Sequence, residues 1–445
     1  MKILGLKRDE VRKKVSEGSV TIAVYGLGKL GLPVATVFAD KGAKVIGVDV
    51  NERVVELINS GSNHLVEEPA LSELLKKNVE AGRLKATVDG IKAAEIADVM
   101  IIAVPTLVED ERPKLDALLE VAEKISKSIK KGDIVITECT MPPGGTEKLI
   151  PLLEKSGLRL GEFGIAHAPE RMSTGTAVDD ITKKYPKIVG ASDQKTLEAV
   201  IGLYEAINEK GVIPVSSLKA AEAVKVFEGV YRDVNIALAN ELALWCEEQG
   251  LDVYEIIKAA NTQPYCNIHL PGAGVGGHCI PVYPWFIISS AKRNMRLLRT
   301  AREINEEMPK HVVYLLVKAL NENGIPMKGS KILVLGLTYR GGVKEFYKSP
   351  AIRIIEGLKK WGSIVYAYDP LCNEEDARKL GVRWKSDFEG VDAIVVATDH
   401  REFKEINLEE VAEKVRHKII VDGRRVFDRE EALRLGFVYL GVGCV

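Results

Sequence analysis

Residues 271–281 read Pro-Gly-Ala-Gly-Val-Gly-Gly-His-Cys-Ile-Pro. Four glycines among positions 272–277 predict a loop, since glycine weakens helix and strand alike and admits backbone geometries that other residues avoid. Such a loop presents backbone N–H groups, that of Gly276 included, to phosphate or sugar oxygens. It ends in Cys279. A cysteine inside a helix or strand is ordinarily a small buried hydrophobe. At the end of a glycine-rich loop it is a candidate nucleophile, acting through its thiolate. His278 is adjacent, but neighbouring side chains diverge, so it is given no role as base. Lys225 falls on or near the apolar face of a long helical pattern. It is either a solvated lysine at the helix edge or a desolvated one shifted toward acid–base use.

A second constellation is Gly26-Leu27-Gly28-Lys29-Leu30-Gly31, a G-x-G-x-x-G between a predicted strand and a helix. The first glycine permits a tight turn, the second a close approach of backbone to a pyrophosphate, and the third close helix–strand packing. The phosphates then face a helix N-terminus. Asp49, 18 residues beyond Gly31, ends the next strand, where an acid bonds a ribose 2′-hydroxyl. An acid there disfavours a 2′-phosphate, so NAD is expected over NADP. Thr106 and Thr140 close two further strands, where ligands of open α/β sheets bind. Each is either a nicotinamide-side contact or an ordinary strand-end hydroxyl.

The elements that must carry these groups are also legible. VTIAVYG (20–26), KVIGVDV (44–50), VMIIAVP (99–105), DIVITEC (133–139) and KIVG (187–190) are continuous apolar runs between helical stretches. They predict a doubly wound α/β domain on a parallel sheet covered on both faces. Residues 218–250 hold no proline and predict one long helix, with Ser216 or Ser217 as N-cap and Gly250 as C-cap. A helix of that length in mid-chain commonly packs against a second copy, so a homodimer is expected. KILVLGL (331–337), VYAYDP (365–370), AIVVATD (393–399) and KIIVDGR (418–424) predict a second Rossmann-like α/β domain. The expected division is residues 1–200, 201–310 (a central helical domain) and 311–445.

Composition narrows the class. The 445 residues are 46% hydrophobic and 28% charged, enough for two or three domains with real cores. Lys+Arg number 62 against 63 Asp+Glu, without the basic excess of a nucleic-acid protein. No run of about 18 apolar residues predicts a membrane span, and the charged N-terminus does not read as a signal peptide. The six cysteines show no CxxC pair, which argues against a disulfide framework and makes the cytosol the expected compartment. No metal is expected.

Together GLGKLGLP (26–33), VDVNE (48–52), AVPT (103–106), HAPER (167–171), the Lys225 helix, PGAGVGGHCIP (271–281), LGLTYR (335–340) and VDGRR (421–425) resemble the UDP-glucose/GDP-mannose dehydrogenase family. The resemblance runs from about residue 20 to 430, and PGxGVGGHC is its most specific marker. HAPER, RDVNIALANEL (232–242) and GGHCIPVYPWF (276–286) look most like the branch acting on UDP-N-acetylhexosamines. The resemblance implies an NAD-dependent four-electron oxidation of UDP-N-acetylmannosamine at C6 to the uronate. It implies Cys279 as the nucleophile that forms a thiohemiacetal and then a thioester. Lys225 would stabilise charge on the C6 oxygen, with Glu170 and Thr140 around the aldehyde and hydrolytic water. It places Arg171, Met172, Arg232, Gly276, Tyr339, Arg340 and Arg424 at the UDP-sugar. It places Gly26, Leu27, Gly28, Lys29, Leu30, Asp49, Arg53, Thr106 and Thr140 at NAD.

The sequence departs from that pattern in places. Four residues after Lys225 the family usually has Asn, and here it is Gly229. Four residues after the cysteine an Asp is usual, and here it is Tyr283. A glycine inside a helix costs about 1 kcal/mol relative to alanine, so Gly229 wants a reason. A side chain from elsewhere, or water, is expected in the amide's place. Tyr265 stands where related sequences often put Arg, and residues 340–350 lack the acids and arginine usual before Ser-Pro. The readings left open are the same chemistry on UDP-N-acetylglucosamine, UDP-glucose or GDP-mannose, a non-catalytic NAD- and nucleotide-sugar-binding protein, and a two-electron dehydrogenase of the 6-phosphogluconate kind.

Overall fold

The computed structural model describes residues 2–444; Met1 and Val445, the outer ends of the first and third expected domains, lie outside it. Two compact units are present. One runs to Glu228 and includes Trp285–Ser290; the other holds Gly229–Pro284 and the chain from Ala291 onward.

The first unit is built on β1 (Thr21–Tyr25), β2 (Lys44–Val48), β3 (Leu84–Thr87), β4 (Val99–Ile102), a hairpin of β5 (Leu107–Glu109) and β6 (Arg112–Lys114), β7 (Ile134–Thr137), β8 (Gly164–His167), β9 (Lys187–Ala191) and β10 (Val212–Pro214). Apart from the hairpin these form one sheet in the order β10-β9-β8-β7-β4-β1-β2-β3. The apolar runs are continuous because both faces are covered. In β1, Ile22 and Val24 enter one core and Ala23 and Tyr25 the other.

One departure from the expected parallel sheet matters for chemistry. β8 pairs with β9 antiparallel. The chain leaves β8 at its carboxyl end, makes the segment 168–186, and re-enters the sheet from that same edge. Lys187, the first residue of β9, therefore stands beside the residues that follow β7 and β8.

The second unit holds β11 (Lys331–Leu335), β12 (Ile364–Tyr368), β13 (Arg383–Trp384), β14 (Ala393–Val396), β15 (Ile419–Asp422) and β16 (Val438–Gly441). Their order is β13-β12-β11-β14-β15-β16, with every pairing parallel. The helix Leu218–Gln249 has 32 residues, with the Ser217 hydroxyl accepting from the Ala220 N–H at 3.1 Å and Gly250 left-handed at φ +67° beyond its end.

Candidate active site

The glycine turn after β1 is shaped as its sequence requires. Gly26 has φ +90°, and a Cβ on Gly31 would lie 1.8 Å from the Gly26 carbonyl oxygen, so no larger residue fits. A Cβ on Gly28 would meet nothing within 4 Å. Protein packing does not demand that glycine, and its uncovered backbone leaves room for the approach of a pyrophosphate. The helix Gly31–Asp40 opens directly from the turn. Asp49 is half-buried, and its Oδ2 accepts from the Leu27 N–H at 2.9 Å while Oδ1 accepts from Asn51. Leu27 is buried, Leu30 packs against the core, and Lys29 reaches Glu67 at 3.1 Å. Arg53 is exposed on the first turn of Glu52–Asn59. These residues fit NAD: a glycine cradle, a helix start and an acid at the ribose end.

Two of the predicted strand-end residues meet, since the Thr106 hydroxyl donates to the Thr140 carbonyl at 2.6 Å. The loop beyond Thr140 is tied to the long helix by Glu222, whose carboxylate accepts from the N–H groups of Gly144 and Thr146. Cys139, next to Thr140, is buried, and burial pushes its thiol up to about 12, so it is a packing residue at neutral pH.

Glu170 is 3% exposed. One oxygen accepts from the backbone N–H groups of Arg171 (2.8 Å) and Met172 (3.0 Å), and the other pairs with the Lys187 ammonium. Burial alone would raise its pKa, but Lys187, Lys225 and the backbone N–H of Arg171 outweigh burial and hold it below the ordinary glutamate value. Lys187 also lies 3.5 Å from Glu138, whose other oxygen accepts from the Tyr204 hydroxyl. Burial pushes Glu138 up to about 7. His167 donates or accepts at 2.8 Å with the Thr137 hydroxyl, and burial beside Lys187 takes it down to about 3, so its ring is neutral.

Lys225 is 8% exposed, which sets aside the solvated reading. Arg171 is engaged within its own unit: it bonds Glu228 (2.8 Å) and the Pro186 carbonyl (2.6 Å) and lies over the Tyr185 ring. Met172 is partly buried against the core. Sequence reasoning missed Lys187, Glu138, Tyr204 and Glu222. The one local signal was a lysine opening an otherwise apolar strand.

In the second unit the glycine-rich loop is pinned along its length. The Gly272 N–H donates to Asn240 at 2.9 Å, Arg424 donates to the Gly274 carbonyl at 2.9 Å, and the Gly277 N–H donates to the Tyr347 carbonyl at 2.8 Å. Asn240 is itself held by Asn305, which bonds Asp233, the partner of the buried Arg302. Gly276 and Gly277 are wedged against Tyr339, where a Cβ would fall 2.7 and 2.8 Å from its side chain. His278 stacks on Tyr347 with centroids 4.2 Å apart and lies 3.3 Å from Glu345. Of the six cysteines only Cys279 is exposed. The structure thus brings Gly276, Tyr339 and Arg424 together at the loop. Arg340 is exposed, with its guanidinium 5.7 Å from the Tyr339 ring, and Arg232 is half-buried on the long helix. Among the described residues no cluster of His, Cys, Asp or Glu has the arrangement of a metal site, and no helix is long and apolar enough to cross a membrane.

Comparison with known proteins bears on this arrangement. Residues 20–208 match the NAD binding domain of the UDP-glucose/GDP-mannose dehydrogenase family, 219–307 its central domain and 333–429 its UDP binding domain. The chain is 41% identical over 425 residues to a UDP-N-acetyl-D-mannosamine dehydrogenase of Pyrococcus horikoshii, covering 95% of this chain and 99% of that one. It is 35% identical to an NDP-N-acetyl-D-galactosaminuronic acid dehydrogenase of Ralstonia nicotianae, covering 91% of this chain and 95% of that one. A solved UDP-D-ManNAc dehydrogenase from Pyrococcus horikoshii superposes with a TM-score of 0.87 at 39% identity, covering 95% of this chain and 99% of that one. With the NAD cradle, the pinned cysteine loop and matches along most of its length, the chain belongs to the UDP-glucose/GDP-mannose dehydrogenase family and is an NAD-dependent nucleotide-sugar dehydrogenase.

Proposed function

We propose that the chain oxidises UDP-N-acetyl-D-mannosamine at C6 to UDP-N-acetyl-D-mannosaminuronate through a covalent intermediate on Cys279. The observation that carries this reading is the exposed thiol at the end of a loop otherwise fixed by hydrogen bonds and glycine packing. The names of the Pyrococcus relatives support the substrate.

NAD supplies the acceptor for two hydrides, one NAD for each two-electron oxidation. The residues of the chain do the rest. The C6 alcohol gives up a hydride and its hydroxyl proton to become an aldehyde, and the Cys279 thiolate adds to that carbon, forming a C–S bond and an alkoxide that takes a proton. The thiohemiacetal so formed gives up a hydride and its hydroxyl proton to become a thioester. Water adds to the thioester carbonyl, the C–S bond breaks, and the thiol leaves with the carboxylate as product. The balance is one alcohol, two NAD and one water to one carboxylate, two NADH and three protons. Lys225, a buried lysine, would steady negative charge on the C6 oxygen. Glu170, held as a carboxylate, and Thr140 would orient the hydrolytic water. Arg232, Gly276, Tyr339, Arg340 and Arg424 would receive the UDP-sugar, arginine suiting a diphosphate by its bidentate fixed charge. Arg171 and Met172 would line the sugar side.

The same reading divides the chain into an NAD-binding domain, a central helical domain and a UDP-binding domain, within a homodimer. Tyr231, Leu238 and Trp245, each about half exposed, form an apolar stripe on the long helix that a second copy would cover. A cytoplasmic setting fits six cysteines that are all unpaired.

A substrate panel tests the proposal. The expected result is the highest kcat/KM for UDP-N-acetylmannosamine, with the uronate identified as product. The Ralstonia relative makes a nucleoside-diphosphate N-acetylgalactosamine the first alternative to include, beside UDP-N-acetylglucosamine, UDP-glucose and GDP-mannose. A higher kcat/KM for any of these moves the substrate and leaves the chemistry. No oxidation of any nucleotide sugar, with NAD still bound, would favour a binding protein.

A further inference from the structure

Gly229 and Tyr283 look like two unrelated losses in the sequence, yet they meet in the second unit. A Cβ built on Gly229 would lie 2.2 Å from Tyr283 Cδ2, 3.0 Å from its Cγ and 3.1 Å from its Cβ. Real Cβ atoms do not approach other heavy atoms at 2.2 Å, and the obstacle is a ring next to its backbone rather than the end of a flexible chain. The glycine is therefore the seat of the ring, which packs directly on the helix backbone. Tyr283 is 4% exposed, so the ring is held there. This answers why a residue that costs helix stability stands inside the helix Leu218–Gln249.

The same tyrosine is coupled to the thiol through the main chain. The N–H groups of Tyr283 and Val282 donate to the Cys279 carbonyl at 3.0 and 3.1 Å, closing a single turn over residues 279–283. Upstream, Gly277 is fixed by its bond to the Tyr347 carbonyl at 2.8 Å. Cys279 thus lies between two anchors, Gly277 two residues before it and the seated Tyr283 ring four residues after it. Its side chain is exposed while both anchors are buried.

We infer that Gly229 and Tyr283 are one interlocked pair, in which Tyr283 is a positioning residue for the Cys279 thiol and Gly229 is the seat that allows it. The functional part of this rests on the reading of Cys279 as nucleophile; the interlock does not.

The test is a double-mutant cycle of Gly229→Ala, Tyr283→Ala and the pair. Two readouts are taken: kcat and KM on the nucleotide sugar, and the rate at which iodoacetamide alkylates Cys279, followed by peptide mass mapping. In Gly229→Ala the added methyl displaces the ring and with it the turn. The expectation is a fall in kcat on the order of 10- to 100-fold, as for a misplaced reacting group, with NAD affinity within about twofold and an altered alkylation rate. In the Tyr283→Ala background the same Gly229→Ala change is expected to alter both readouts less than about twofold, because the obstacle is gone. Equal effects of Gly229→Ala in both backgrounds, or no effect in either, would overturn the inference. Where Gly229→Ala fails to fold, restored folding in the double variant supports the interlock and continued failure overturns it. Full turnover by Cys279→Ser would remove the nucleophile reading, while the alkylation cycle would still decide whether the pair is coupled.

Discussion

The two α/β sheets share a plan and differ in what they can bind. Each places its first six strands in the order 3-2-1-4-5-6, β3-β2-β1-β4-β7-β8 in one and β13-β12-β11-β14-β15-β16 in the other. Each leaves its first strand through a left-handed glycine, Gly26 at φ +90° and Gly336 at φ +96°. Each ends its second strand with an aspartate that accepts from the N–H after that glycine, Asp49 from Leu27 at 2.9 Å and Asp369 from Leu337 at 2.8 Å. There the likeness stops. Asp49 is half-buried beside a turn that opens straight into a helix. Asp369 is fully buried and additionally holds His400 at 3.0 Å and both the N–H and hydroxyl of Thr338. No helix follows its turn until Pro350. The second sheet has spent its acid on itself. Topology gives both halves a crevice at the carboxyl ends of the strands, but only the first turn keeps a partly exposed aspartate there, the one proposed to meet the ribose.

Changes that treat the halves alike should therefore give unlike results. The largest effect is expected at Gly31→Ala, where the Cβ would collide with the Gly26 carbonyl: NAD affinity should fall on the order of 100-fold or more by calorimetric titration. Gly341→Ala also collides with a backbone carbonyl, that of Asp399 at 2.4 Å, but should leave NAD affinity unchanged and cost stability instead. Next comes Asp369→Ala, which leaves His400 and four donors, the N–H groups of Leu337, Thr338 and Leu371 and the Thr338 hydroxyl, facing a lost carboxylate. A loss of about 3 kcal/mol in urea unfolding at pH 7 is expected, again with NAD binding intact. The hydrogen-bonded His400 and backbone groups outweigh burial and lower the Asp369 pKa, so its contribution is present above the ordinary carboxylate range and disappears as pH falls through the depressed value. The gap between parent and variant should close in acid. Asp49→Ala should be milder for folding, and should weaken NAD about tenfold through one lost charge-assisted bond. A similar loss of NAD affinity from Asp369→Ala would erase the contrast.

The smallest effect belongs to the buried carboxylate cluster of the first unit. Glu138 has a raised pKa, so the folded state holds its proton more tightly and the associated stability is lost as pH rises from about 4.5 to about 7. Glu138→Gln should flatten that fall in a melting-temperature series. An unchanged slope would mean that Glu138 is ionised throughout.

How much of this was legible beforehand depended on whether the signal was local. The five apolar runs of the first zone are β1, β2, β4, β7 and β9 of the structure, because a doubly covered strand writes its burial into consecutive residues. β3, β8 and β10 escaped notice. Leu84–Thr87 alternates, Gly164–His167 mixes glycine and histidine into the run, and Val212–Pro214 is three residues ending in proline. The antiparallel return of β9 left no mark in its composition, since strand direction depends on the connection rather than the strand. The glycine turn, Asp49 and the cysteine loop were readable because the required backbone geometry selects glycine at fixed positions. Lys187 and Glu138 were not, because they pair with each other, with Glu170 and with Tyr204, and these partners are 17 to 66 residues away. Gly229 and Tyr283 were noticed as departures, but their complementarity exists only in three dimensions.

The central claim is that one thiol carries a nucleotide sugar through two successive oxidations. It is tested most directly by counting NADH released per sugar, with limiting UDP-N-acetylmannosamine and excess NAD, in the parent and in Cys279→Ser. The account predicts two NADH and one uronate per sugar in the parent, and no uronate in the variant. One NADH per sugar with an aldehyde as the final product of the parent, or two NADH and full uronate yield from Cys279→Ser, would contradict it.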